Sequence, residues 1–80
     1  MNPRMPIITA RIMIQFLEHL GFRQVRQRGS HRFFRHPDGR TATVPDHKGE
    51  TLGRGIVSKI LRDIEVTRDE FLEWYSQASR

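Results

Sequence analysis

Eighty residues with a formal net charge of +5 and no cysteine make one compact domain and exclude a disulfide framework or a cysteine-held metal. The longest mostly apolar stretch, residues 12–17, contains Gln15 and is far too short to cross a bilayer, so a cytoplasmic protein with no membrane partner is expected. Arginine outnumbers lysine twelve to two, and its planar fork of donors suits phosphate and stacks on bases. Residues 23–40 hold six arginines and one acid, whereas residues 63–73 hold five acids and one base. That asymmetry points to a nucleic-acid face on one part of the molecule.

Thr9 is placed to cap a first helix over residues 10–20, in which Met13, Phe16, Leu17 and Leu20 follow the i, i+3, i+4, i+7 spacing of one apolar face. Gly21 supplies the stop. Three short segments of strand character follow: residues 22–28, broken by Gly29-Ser30; residues 31–36, closed by Pro37-Asp38-Gly39; and residues 41–44, ended by Pro45. Connections this short predict a three-stranded antiparallel meander. Residues 46–55 hold three glycines and read as a loop. A second helix should then carry Ile56, Val57, Ile60, Leu61 and Ile64 as its apolar stripe. Thr67-Arg68-Asp69-Glu70 has capping-box spacing, so a third helix should start there, with Phe71, Trp74, Tyr75 and Ala78 on one face. The predicted fold class is α+β: a helix, three strands and two helices packed on one face of the sheet.

Alternation along the strands then predicts which side chains stay outside. With Phe34 turned to the core, His31, Phe33 and Arg35 share the open face. Val25 turned inward leaves Gln24, Arg26 and Arg28 outward, and Ala42 and Val44 turned inward leave Thr41 and Thr43 outward. The open face thus combines a titratable imidazole, an aromatic ring and three arginines, a surface suited to RNA. Phe33 is either a stacking platform or a core residue at the edge of the sheet.

The run Arg28-Gly29-Ser30-His31, then Phe33-Phe34 and Arg35-His36-Pro37-Asp38-Gly39-Arg40, resembles the central signature of the HicA toxins, the YcfA-like mRNA interferases. Thr43-Val44-Pro45, His47, Lys48-Gly49-Glu50 and the helix ending Ile60-Leu61-Arg62 resemble that family's next blocks, so the likeness runs from about residue 9 to residue 64. The resemblance implies a double-stranded-RNA-binding-like fold and mRNA cleavage without a cofactor or metal. It also implies silencing by a HicB-like antitoxin, and it places the family's catalytic histidine on His31. In domain terms it implies one HicA-like domain over 1–80, with a core of about 9–64 and a C-terminal helical extension over 65–80. Two departures stand out. Gly55-Ile56-Val57 replaces a more usual Gly-Thr-Leu and loses a hydroxyl, and the tail reaches past a minimal family member.

RNA carries its own nucleophile in the 2′-hydroxyl, so an enzyme needs a proton acceptor, charge stabilisation and help for the leaving oxygen. An imidazole transfers protons near neutral pH, and Arg26, Arg28 or Arg35 can stabilise charge developing on phosphate. Gly29 and Ser30 would form the turn beside that phosphate, with Gly29 allowing its close approach. His47 is a secondary candidate for approach to the site or the antitoxin, His36 reads as a turn residue and His19 as solvated. No His-x₃-His pair exists to hold a metal, and Ser30 has no acid spaced to make it a nucleophile. The competing readings are a non-catalytic RNA-binding module and an adaptor that binds only protein.

Overall fold

The computed structural model describes residues 5–78; residues 1–4 and 79–80, the ends of the predicted domain, lie outside the described residues. Its elements in chain order are β1 (Ile8–Thr9), α1 (Ala10–Leu20), β2 (Arg23–Arg28), β3 (His31–Arg35), β4 (Thr41–Pro45), β5 (Thr51–Leu52), α2 (Arg54–Asp63) and α3 (Arg68–Ala78). The fold is α+β, and α1–β2–β3–β4–α2 follows the helix–three strands–helix order of a double-stranded-RNA-binding-like domain, with α3 added behind it.

Each helix begins or ends for a local reason. The Thr9 hydroxyl accepts the Ile12 amide at 3.2 Å and caps α1. At its other end Gly21 takes a φ of +101°, its amide reaching the Glu18 carbonyl while the Phe22 amide reaches Leu17. This paired bonding satisfies the last free carbonyls of the helix and favours glycine at the left-handed position. The end of α2 repeats the geometry: the Glu65 amide bonds Arg62 and the Val66 amide bonds Leu61. Here, however, the residue at φ +58° is Glu65, where a side chain is strained. Glu65→Gly is therefore expected to stabilise the protein by about 0.5–1 kcal/mol, read from the denaturant midpoint. A fall instead would mean that the carboxylate near Arg40 outweighs the backbone strain.

The three strands form the expected meander in the order β2-β3-β4. Phe34, Ala42 and Val44 turn inward and meet Met13, Phe16 and Leu17 of α1 and Val57, Ile60 and Leu61 of α2 in one core. The predicted third helix is present: the Glu70 amide bonds the Thr67 hydroxyl at 3.1 Å and the Glu70 carboxylate accepts the Thr67 amide at 3.2 Å. Phe71 is fully buried, edge-on to Phe16 at 5.0 Å between ring centres. Trp74 and Tyr75 are half-buried, whereas Ala78 is exposed.

Four expectations need correction. The predicted loop over residues 46–55 contains β5, which pairs antiparallel with β1, Ile8 opposite Leu52. Ile56 does not join the core; it is 41% exposed. Val25 is 60% exposed rather than inward, because β2 carries an irregularity between Gln24 and Arg26. An extra residue in one strand breaks the alternation: Gln24 pairs with Phe34 on the core side, while Arg26 pairs with Phe33 on the open side. Gln24 is accordingly not an open-face residue; its side-chain Oε1 accepts from the Arg32 guanidinium at 3.3 Å. Among the described residues no helix is long and apolar enough to cross a membrane.

Candidate active site and nucleic-acid face

The β2–β3 hairpin turns on two residues, Gly29 and Ser30, with Arg28 opposite His31. Gly29 has a φ of +58°, the left-handed first position that matches the twist of a tight hairpin. Open space lies beside its α-carbon, so nothing in the protein blocks a phosphate from approaching the turn. His31 is the first residue after the turn and lies between Arg28 on β2 and Pro45 on β4. Its ring is exposed, and no hydrogen bond or ion pair from another described residue holds either ring nitrogen.

Strand register gathers the cations. Residues paired across antiparallel strands share a face, so His31, Phe33 and Arg35 stand beside Arg28, Arg26 and Arg23 of β2 and beside Pro45, Thr43 and Thr41 of β4. The irregularity at Val25 adds Arg23 to the predicted trio, making four arginines. The Arg26 guanidinium lies 4.5 Å above the Phe33 ring, a cation–π contact. A base arriving there must stack on the guanidinium or displace it.

His31 also lines a cleft of about 580 Å³, within the rough 300–1,000 Å³ range of small-ligand sites. Thr43 and Pro45 of β4, His47, Glu50, Thr51 and Leu52 of the following segment, and Ile56, Lys59 and Ile60 of α2 complete the wall. Ile56 is exposed because it faces this space. Lys59 is partly engaged by Asp63, one turn on, at 2.8 Å. The segment carrying His47 is fastened to the hairpin turn: the Asp46 amide donates to the Ser30 carbonyl at 2.7 Å, and the Asp46 carboxylate pairs with Arg32 at 2.7 Å. Ser30 Oγ and His47 Nε2 stand 3.4 Å apart.

The other two histidines have work elsewhere. His36 accepts the Asp38 amide on Nδ1 at 3.1 Å, and its Nε2 lies 3.0 Å from the Leu20 carbonyl. The Asp38 carboxylate also approaches Nδ1, at 3.0 Å, and the ring packs edge-on against Phe22. His36 thus clamps the β3–β4 turn to the end of α1. His19 packs against Phe16 and Trp74. Within the same turn, the backbone amide of Arg40, assisted by its guanidinium, holds the Asp38 carboxyl below its ordinary 3.8.

The structure therefore brings His31, Arg26, Arg28, Phe33 and Arg35 onto one face, with Gly29 and Ser30 at its corner. It adds Arg23, which strict alternation misplaces, and the cleft residues Glu50 and Lys59, which are distant from His31 in the chain and carry no spacing signal.

No curated protein matches the chain. The family model described as "HicA toxin of bacterial toxin-antitoxin" matches residues 10–66, more than two thirds of the chain, and its match stops just short of the Thr67 cap of α3. The chain belongs to the HicA family of toxins of bacterial toxin–antitoxin systems.

Proposed function

We propose that the protein is a cytoplasmic, metal-independent endoribonuclease that cleaves mRNA with His31 as its proton-transfer residue. A HicB-like antitoxin that covers this site would keep it silent. The observation that carries the reading is an unencumbered imidazole lining a cleft of about 580 Å³, on the face that holds four arginines. The RNA backbone lies along Arg23, Arg26, Arg28 and Arg35, and the scissile phosphate sits by the Gly29-Ser30 turn. His31 takes the proton of the 2′-hydroxyl as that oxygen attacks phosphorus, and arginine stabilises the charge that builds on the phosphoryl oxygens. The products are a 2′,3′-cyclic phosphate and a free 5′-hydroxyl. No cofactor takes part, because the nucleophile belongs to the substrate.

The test is incubation of the purified protein with a long single-stranded RNA in excess EDTA, with product ends identified. Fragments ending in cyclic phosphate are expected. Intact RNA that is nevertheless bound, with affinity falling as salt rises, would replace this reading with a non-catalytic RNA-binding module. If all four arginines meet phosphates, the slope of log K against log salt should be about −3. Neither cleavage nor binding would leave an adaptor whose partner is a protein.

A further inference from the structure

We infer that His47 is a second catalytic residue, the group that protonates the 5′-oxygen as it leaves; this deepens the ribonuclease reading and rests on it. Transesterification moves two protons on opposite sides of phosphorus. One leaves the attacking 2′-oxygen and one must reach the departing 5′-oxygen, because an alkoxide is a poor leaving group in neutral water. A lone imidazole at one end of the in-line axis serves only one of these transfers. The cleft holds a second imidazole: His31 and His47 both line it and both are exposed.

The placement of His47 is built into the fold. Pro45 lies opposite His31 in the strand register, so two residues later the chain is still at the His31 end of the sheet. The Asp46 amide and carboxylate tie that point to Ser30 and Arg32. Immediately after it, the Glu50 amide donates to the His47 carbonyl at 2.9 Å, closing a turn in which Gly49 takes a φ of +81°. The His47 ring also stands 3.4 Å from the hydroxyl of Ser30, the neighbour of His31. Two other titratable groups line the cleft: Lys59, engaged by Asp63, whose ammonium suits stabilisation of the phosphorane, and Glu50, which as a carboxylate has no proton to give.

The step balances. The 2′-oxygen gives its proton to His31 and bonds to phosphorus. The bond from phosphorus to the 5′-oxygen breaks, its electron pair goes to that oxygen, and His47 supplies the proton. His31 finishes protonated and His47 neutral, and exchange with water resets both.

The test compares the parent with His47→Ala and His31→Ala on two versions of one RNA oligonucleotide. In the first the cleaved linkage is ordinary; in the second a bridging 5′-sulfur leaves as a thiolate that needs no proton. His47→Ala is expected to cut the ordinary RNA about 100-fold or more slowly, yet to cut the sulfur-bridged RNA within about threefold of the parent, while His31→Ala is slow on both. An equal loss on both substrates, or no loss on the ordinary one, would overturn the role of His47 and leave the ribonuclease reading standing. A parent that cuts neither RNA would overturn both. His47→Gln, which keeps a polar side chain beside Ser30, guards against misfolding of the alanine variant and should show the same selectivity for sulfur.

Discussion

His31→Ala is expected to slow RNA cleavage by roughly 10²–10⁴-fold, the usual contribution of a positioned acid–base group. The fold should be untouched: the ring is exposed and makes no protein hydrogen bond, and surface changes of that kind usually shift stability by less than about 0.5 kcal/mol. RNA affinity should also hold, since Arg23, Arg26, Arg28 and Arg35 keep their places on the strands. The combination separates a chemical role from a binding role. An arginine variant such as Arg28→Ala should weaken binding and flatten its salt dependence, whereas His31→Ala should do neither. If His31→Ala cleaves like the parent, the assignment of the site fails. If it binds RNA much more weakly, His31 is a contact residue and the proton must go elsewhere.

Phe71→Ala should have the largest effect on stability, a loss of about 3–5 kcal/mol. Phe71 has no exposed surface and lies against Phe16, Trp74 and Tyr75, so truncation leaves a void that neighbours on two helices cannot readily fill. A domain of this size has roughly 4–12 kcal/mol in total, and each kcal/mol is worth about 4–8 °C of melting temperature. The melting midpoint, followed by circular dichroism, should therefore drop by well over 10 °C. The family match ends before α3 begins, which would suit an accessory tail. A loss below about 1 kcal/mol would support that view, whereas the expected loss makes α3 part of the core, as the values for core phenylalanines imply.

Much of the framework was legible because it is locally encoded. Thr9, Gly21 and the Thr67–Glu70 pair act within one helical turn, and each forms the predicted hydrogen bonds. Phe34 reads as the core residue of β3 because the opposite parity would bury His31, and its burial confirms the choice. What escaped is what local patterns do not contain. A single extra residue at Val25 flips everything on one side of it to the other face, so Gln24 was placed outward and Arg23 was missed. Two-residue strands such as β1 and β5 have no periodicity to detect. A stripe of five apolar positions on α2 does not say which edge meets the core, and Ile56 fell on the cleft side. His47 is a secondary candidate in the sequence, but its glycine-rich loop does not say where it lands. Its position depends on an ion pair between Arg32 and Asp46, fourteen positions apart, which spacing rules do not see.

The arginines occupy the open side of the sheet, while Asp69, Glu70 and Glu73 are exposed on α3, which packs against the helix side. Such a molecule is an electric dipole. Within a screening length or two of an RNA strand it experiences a torque that turns the sheet toward the polyanion before contact, raising the fraction of collisions that arrive correctly oriented. The molecule measures 23 Å along its shortest principal axis, more than two screening lengths at physiological salt, where the length is about 8 Å. With RNA seated on the sheet as proposed, the acids of α3 lie on the opposite, helix side of the molecule and oppose it only weakly. They bias the approach and leave the bound state nearly unopposed, and that bias fades as ionic strength rises.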